Sequence, residues 1–258
     1  MIVEPRRAAP GALRRWSRQS VALLARAPAF WLGLALLLCL AMFLSQRLPL
    51  VGAMLALIAF FSSTVLAAVL DRRLATSVDE LLAALQGQGR VILTFGVVIT
   101  VAGALIWILL LAKPGVPWWA VFWNERNVVA ALSIDSWIAL RQVFVYSAYA
   151  LGLLYFGLNI PGLTSFLQFP CRTLLDLPFR EAYRVAAAGQ LLNLGPMLGV
   201  GLLFVLAPML TVFVLPPAVP ILYCFFGALA YVAFREIFLG VAENAALART
   251  VLATARAG

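Results

Sequence analysis

Residues 29–45 read AFWLGLALLLCLAMFLS, an apolar run without a charged side chain. An α-helix crosses the hydrocarbon core of a membrane with about 20 consecutive apolar residues, so this run predicts a transmembrane helix. The short polar link Gln46-Arg47-Leu48-Pro49 follows, and a second apolar run continues from there to Leu70. Because an open sheet cannot satisfy its backbone in lipid, the two runs together predict a helical hairpin in the membrane.

Four further apolar runs extend this pattern along the chain. The complete set predicts about six spans, at residues 29–45, 48–70, 91–112, 137–168, 191–215 and 219–239. Hydrophobic residues make up 64% of the chain and charged residues only 11%, against roughly 25% charged residues in soluble domains. We therefore expect an all-α, polytopic integral membrane helical bundle.

The positive charges fall on one side of the membrane when the N-terminus is placed inside. Of the 19 Lys and Arg residues, all but four then lie on the inner side, and the four are Arg47, Lys113, Arg126 and Arg141. Short loops follow the positive-inside rule, so we expect both termini in the cytoplasm. Orientation and contact with anionic lipid headgroups account for the net charge of +9. No nucleic-acid partner is expected.

Three amphipathic segments, 13–26, 74–85 and 174–188, precede the first, third and fifth runs. Each places charges on one face and apolar residues at helical spacing, which is typical of a helix lying in the membrane interface. They predict three hairpins, each with a cytoplasmic lead-in helix. The chain then divides into a basic amphipathic N-terminal segment (1–28), a membrane domain (29–240) and a cytoplasmic tail (241–258). Low identity between the three units leaves both true repetition and convergence open.

Local signals refine the lead-in helices. Ser77 and Glu80 fit a capping box that opens the second helix, and Gly189 is expected to end the third. In the first helix the arginines should face the headgroups and the apolar residues should be buried, namely Arg14, Arg15 and Arg18, and Leu13, Trp16, Leu23 and Leu24.

Reactive side chains are scarce. The chain has no His, which excludes His-dependent triads and most zinc or haem sites, and it has no P-loop or nucleophile elbow. The three cysteines, Cys39, Cys171 and Cys224, have no CxxC partner and read as small apolar residues. We therefore expect no catalytic residue, no metal, no cofactor and no enzyme activity.

The fourth run carries the most polar membrane surface and a predicted break. Pro161 removes a backbone donor and disfavours helix at the preceding residue, and Gly162 adds freedom. Such a break either exposes carbonyl groups to a transported solute or is only a packing kink. The candidate polar membrane site consists of Tyr146, Tyr149, Tyr155, Asn159 and Pro161. The fifth run offers Gly195 and Gly199, a GxxxG pattern, for close packing.

Arg235 and Glu236 near the inner end of the last run form a candidate structural clasp. Neighbours on a helix do not face one another, so they are not each other's partner. Arg235 is expected to extend toward lipid phosphates. Glu236 is expected to accept a bond from an arginine of a lead-in helix, such as Arg18, Arg26 or Arg184.

The outer segment 113–136 contains Trp118, Trp119 and Trp123. Aromatic residues at this density favour a belt at the outer headgroups. The alternative is a docking surface for another membrane protein, since tryptophan also marks binding hot spots.

Several short motifs resemble a known family. They are Trp16 and Trp31 around Arg26-Ala27-Pro28, the turn Leu48-Pro49-Leu50-Val51-Gly52, and the run AYVAFREIF at 230–238. Together these are similar to an uncharacterised proteobacterial family of six-helix inner-membrane proteins. The resemblance implies an inner-membrane location and no established activity, and it carries no catalytic residues over to this chain.

The sequence therefore favours a non-enzymatic polytopic inner-membrane protein that acts as a scaffold or an accessory subunit of a membrane complex. Its expected partners are the bilayer, anionic headgroups and other membrane subunits. The alternative is a small transporter or channel-like protein that uses the broken fourth helix.

Overall fold

The computed structural model describes residues 4–47, 49–72, 78–111 and 137–240. Every element within those ranges is a helix, which confirms the predicted all-α class. The Trp-rich segment 113–136, the tail 241–258 and Ser77 of the capping box lie outside the described residues.

The helices begin and end close to the predicted runs. Their bounds are α1 Ala12–Arg26, α2 Pro28–Arg47, α3 Pro49–Asp71, α4 Val78–Gly87, α5 Gly89–Leu111, α6 Trp137–Gly157, α7 Gln168–Leu174, α8 Phe179–Leu192, α9 Leu194–Val214 and α10 Val219–Phe234. A 3-10 turn, Pro216–Ala218, joins α9 to α10, and a π-helical turn, Arg235–Leu239, extends α10.

Three helices in the described part of the chain are long and apolar enough to cross a membrane. They are Val51–Asp71 in α3, Leu194–Val214 as α9, and Pro216–Leu239 around α10. A fourth span results if α1 and α2, which are bent by 99° at their junction, count as one broken span. The apolar stretches of α5 and α6 are shorter, and six spans are not shown. The apolar helices indicate membrane association.

The last helix, α10, lies at the centre of the bundle. Phe226, Leu229 and Val232 are all fully buried, because α10 packs on α1, α2, α3, α6, α7 and α9. Small residues allow this close packing: a Cβ added to Gly227 would lie 2.7 Å from the carbonyl oxygen of Phe60 in α3. Phe226 also stacks on Phe204 of α9 at a centroid distance of 3.8 Å.

Helices that are adjacent in sequence are not always the main packing partners. α2 and α3 do pack as a hairpin. In contrast, α10 packs more extensively on α3 than on α9, while α9 packs mainly on α6. The third predicted hairpin, α9 and α10, therefore does not pack as an isolated pair, since α9 lies mainly against α6 of the second predicted hairpin.

Apolar side chains cover the outside of several helices. On α9, leucines repeat along one exposed face at positions 194, 198, 202, 206 and 210, and α5 exposes Leu93, Val97, Val101 and Leu105 in the same way. An exposed apolar surface of this size is unusual for a soluble monomer and fits contact with lipid.

The first lead-in helix forms over the predicted range, except that Arg15 is half-buried and pairs with Glu236 instead of facing outward with Arg14 and Arg18. α1 buries Trp16 and Leu23 completely or nearly so, while Arg14 and Arg18 are exposed. The helix packs against α10, α3 and α9, and the bend at Ala27 carries the chain from α1 into α2. Its position is set by the burial of one apolar face, as for other amphipathic helices.

Two predicted boundaries are wrong. The fourth run is interrupted as predicted, but the helix does not resume directly after the break, because α6 ends at Gly157 and the next helix begins only at Gln168. The third lead-in helix does not end at Gly189, because α8 begins at Phe179 and continues to Leu192. Gly189 therefore lies inside α8. The ring of Phe238 packs against it and leaves no room for a side chain at this position.

Candidate functional site

Two groups of polar side chains lie at one end of this apolar bundle. We call Asn159, Thr164, Ser165, Gln168 and Gln190 the break cluster, since they surround the interruption after α6. We call Arg15, Arg26, Asp71, Arg235 and Glu236 the charge cluster; it lies where α1 crosses the ends of α3 and α10.

The backbone of the chain shows that both clusters lie at the same end. Asn193, which follows α8 and its Gln190, accepts a hydrogen bond from the backbone of Ala8 at 2.7 Å and donates to the carbonyl of Arg6 at 3.0 Å. The amide of Arg6 in turn donates to the carbonyl of Ile237 at 2.8 Å, in the turn that carries Glu236. The N-terminal segment thus links the two clusters.

The carbonyl groups at the end of α6 all have donors. The carbonyl of Tyr155 accepts from Asn159 Nδ2 at 2.7 Å, and that of Phe156 accepts from the Asn159 amide at 3.0 Å. The carbonyl of Gly157 accepts from Thr164 Oγ1 at 2.9 Å. An unsatisfied group at membrane depth would cost several kcal/mol, so these caps explain how the helix can stop here.

Asn159 also connects the break to α8. Its Oδ1 atom accepts from Gln190 Nε2 at 2.8 Å and from the amide of Phe166 at 3.3 Å. Ser165 Oγ donates to Gln190 Oε1, so both ends of the Gln190 amide are bonded. The break and α8 therefore form one hydrogen-bonded unit.

The remaining bonds of the break cluster are made within the same unit. Gln168, which is fully buried, accepts from the amide of Ser165 at 3.2 Å and donates to the carbonyl of Phe179 at 3.1 Å. Gly162 has the left-handed φ of 80°, which glycine tolerates, and its amide donates to Tyr183 Oη at 2.6 Å. Buried polar groups are stable only when they are satisfied in this way.

The structure brings together only part of the predicted polar site. Tyr155, Asn159 and Pro161 lie at the break, where the helix is interrupted. Tyr155 Oη donates to the carbonyl of Met197 at 2.8 Å, which ties α6 to α9. Tyr146 and Tyr149 belong to α6, but their side chains lie outside the described part of the structure.

The glycines that hold α6 against α9 are not those of the GxxxG pattern. A Cβ on Gly201 would lie 2.7 Å from Cε1 of Tyr155, so this glycine leaves room for the tyrosine ring, and a Cβ on Gly152 of α6 would lie 3.7 Å from the backbone of Phe204 in α9. A Cβ on Gly199 would instead meet Leu13 of α1, and one on Gly195 would meet no other described side chain within 4 Å.

Sequence reasoning missed Thr164, Ser165, Gln168 and Gln190. Their polar side chains stand close to a Pro-Gly break in a chain with few polar residues, and this could have signalled that they cap it. Gln190 in particular lies 31 residues from Asn159, and only the tertiary structure pairs them.

In the charge cluster, Glu236 binds two residues of α1. Its Oε1 atom accepts from Arg15 at 2.6 Å and its Oε2 atom from Trp16 Nε1 at 2.9 Å. The partner is therefore an arginine of a lead-in helix, as predicted, but it is Arg15 and not one of the examples Arg18, Arg26 and Arg184. Arg15 and the buried Trp16 are adjacent in α1, so this bidentate contact fixes both the position and the rotation of the helix.

Asp71 at the end of α3 is the second acceptor of the charge cluster. Arg235 makes an ion pair with its Oδ2 atom, and Tyr231 Oη donates to the same atom at 2.9 Å. Arg26 Nη1 lies 3.6 Å from Oδ1. The second guanidinium nitrogen of Arg235 donates to Gln19 Oε1 at 2.6 Å. Arg235 thus binds inside the protein instead of extending to lipid phosphates as predicted.

These arrangements position helices and offer little for catalysis. Among the residues that the structure describes, no three carboxylate or thiol groups come together as ligands for a metal ion. Cys171 in α7 is a free, fully buried thiol, and burial raises the pKa of this thiol well above its ordinary value. A protonated, buried thiol is a poor nucleophile.

Compared with known proteins, the chain matches no family model, no curated protein and no solved structure.

Proposed function

We propose that this chain is a non-enzymatic inner-membrane protein that acts as a scaffold or accessory subunit of a larger membrane assembly. The observation that supports this most directly is the state of the broken helix. The carbonyl groups of Tyr155, Phe156 and Gly157 all accept hydrogen bonds from the chain itself.

A transport site at a broken helix needs polar groups that are free to replace the water around a solute. Here, Gln190 donates a hydrogen bond to Asn159. The hydroxyl of Thr164 donates to the carbonyl of Gly157 and accepts from the amide of Ile160. Opening this unit to a solute would break several buried hydrogen bonds at once. The break cluster is better suited to fix α6 against α8.

The outer helix α9 supplies a face on which another subunit could pack. Only 28% of the most apolar stretch of α9 is buried inside the protein. The corresponding share is 67% for α3 and 72% for the span around α10. The exposed leucines at residues 194–210 supply apolar area for van der Waals packing with a partner helix.

A photo-crosslinking amino acid at Leu202 of α9 tests the proposal in intact cells. Leu105 of α5 is the matched control, because it is exposed to a similar degree on a different helix. We expect one discrete protein adduct from position 202 and none from position 105.

A lipid adduct alone at both positions would contradict the scaffold function. The alternative, a transporter, would then be tested by solute uptake into vesicles that contain the purified protein and an Asn159→Leu variant.

A further inference from the structure

Two of the three guanidinium nitrogens of Arg72 lack a hydrogen-bond partner among the described residues. Its Nε and Nη2 atoms are buried, and neither finds a hydrogen-bond acceptor in the parts of the chain that the structure describes. Buried charged groups are normally paired. The charged groups near Arg72 indicate which kind of ligand could pair with it.

In the charge cluster, three arginines pair with two carboxylates among the described residues. Asp71 is the nearest carboxylate to Arg72 in sequence, but Arg235 and Tyr231 already occupy its Oδ2 atom. Arg26 reaches Asp71 only at 3.6 Å and its side chain is 51% exposed. Arg72 acts electrostatically on the same Tyr231 hydroxyl, and the carboxylate next to it in sequence already pairs with Arg26 and Arg235.

The missing partner is an anion with at least two oxygen atoms. The Nε and Nη2 atoms form one edge of the guanidinium fork, which binds two oxygens of a phosphate or carboxylate side by side. Arg72 is half-buried, so a small outward turn of the side chain exposes this edge. That turn costs no hydrogen bond from either nitrogen, since neither makes one here.

We propose that Arg72 binds a phosphate group, with Arg26, which lies 3.6 Å from the neighbouring Asp71, adding positive charge, and that the phosphate belongs to the headgroup of an anionic phospholipid. The site lies where the apolar helix α3 ends, at the depth where lipid phosphates lie when α3 spans the bilayer. A soluble phosphate shares the same chemistry, and the experiment separates the two sources. This proposal does not depend on the scaffold function.

Charge-conserving variants provide the test. The full-length protein is purified, and its binding of phosphatidylglycerol is measured by native mass spectrometry, with phosphatidylcholine as the neutral lipid. Arg72→Lys keeps the charge but loses the fork, and Arg18→Lys makes the same change at an exposed arginine of α1. We expect Arg72→Lys to weaken phosphatidylglycerol binding about tenfold, and Arg18→Lys to leave it unchanged.

A third arm uses inorganic phosphate. Displacement of phosphatidylglycerol only by other anionic lipids supports the lipid as the ligand, while equal displacement by millimolar inorganic phosphate would overturn the lipid assignment. Equal binding by the wild type and the folded Arg72→Lys variant would overturn the site itself, and so would equal binding of phosphatidylglycerol and phosphatidylcholine.

Discussion

Asn159 and Gln190 join two helices that the sequence separates, with Gln190 Nε2 donating to Asn159 Oδ1 at 2.8 Å. Asn159 follows the end of α6, and Gln190 lies in the last turn of α8. Because Asn159 also caps the carbonyl of Tyr155, one side chain both ends a helix and docks another on it. This contact makes the break a structural joint.

Replacing Asn159 should therefore destabilise the protein. In Asn159→Leu the carbonyl of Tyr155 loses a donor, and Gln190 Nε2 and the amide of Phe166 lose an acceptor. We expect a loss of about 3 kcal/mol, from a cost of roughly 1–3 kcal/mol for each unsatisfied buried group. Thermal unfolding in mild detergent measures it.

Thr94→Val is the matched control for that variant. Thr94 bonds only the carbonyl of Arg90 within its own helix, so its loss should change the stability by less than about 0.5 kcal/mol. An Asn159→Leu protein as stable as the control would show that the hydrogen bonds of Asn159 do not contribute to the unfolding free energy.

The close contact between α3 and α10 predicts a large effect of one methyl group. A Cβ at Gly227 would overlap the side chain of Ser63 and approach the backbone of Phe60. Gly227→Ala should cost about 1–3 kcal/mol of unfolding free energy, the usual range for overpacking. Gly33→Ala in α2 is the control, since a Cβ there meets nothing within 4 Å.

The two glycine variants should differ in the sign of the change in unfolding free energy. Alanine is about 1 kcal/mol better than glycine inside a helix, so Gly33→Ala should be neutral or stabilising. If both variants unfold at the same temperature, α3 and α10 are not in the contact described above.

Glu236→Gln tests how α1 is held. The variant removes the charge that pairs with Arg15, and because both side chains are partly exposed the loss should be only about 1 kcal/mol. The effect should be local: trypsin should cleave faster at Arg14, Arg15 and Arg18 while the melting temperature changes little. Asp176→Asn, which breaks the exposed pair with Arg172, should leave both readouts unchanged. Unaltered cleavage in Glu236→Gln would contradict the proposed clasp.

The Cys171 thiol should resist alkylation across a wide pH range. Burial raises its pKa, so the folded protein holds it protonated at pH values where an unfolded chain, with a thiol pKa of roughly 8.5, forms thiolate. By linkage, this group lowers the stability as the pH rises above the unfolded pKa. In a protein with Cys39 and Cys224 replaced by Ser, maleimide at pH 7 to 9 should react only after denaturation. The exposed Asp176→Cys position is the positive control, and a comparable rate at Cys171 would contradict its burial.

The proposed orientation is tested by reporter fusions. Because all but four of the 19 Lys and Arg residues fall on one side of the predicted threading, fusions after residue 190 and at the C-terminus should report the cytoplasm. A fusion within 113–136 should report the outer side. A cytoplasmic signal from that segment would require a different threading.

The sequence by itself determined where the helices lie. The apolar runs are long and uninterrupted, and in lipid each backbone group must be bonded within its own helix, so a run becomes a helix whatever surrounds it. The same local logic correctly predicted the amphipathic α1 and the interruption after α6. Neither prediction needed a distant residue.

The tertiary structure alone decided which helices pair and which side chains meet. In lipid there is little hydrophobic force between helices, so partners are chosen by shape and by hydrogen bonds. The ring of Tyr155 packs against Gly201, and not against Gly195 or Gly199. In the same way Glu236 selects Arg15, because the rotation of α1 follows from the burial of Trp16, and that contact depends on α10, more than 200 residues away in the chain.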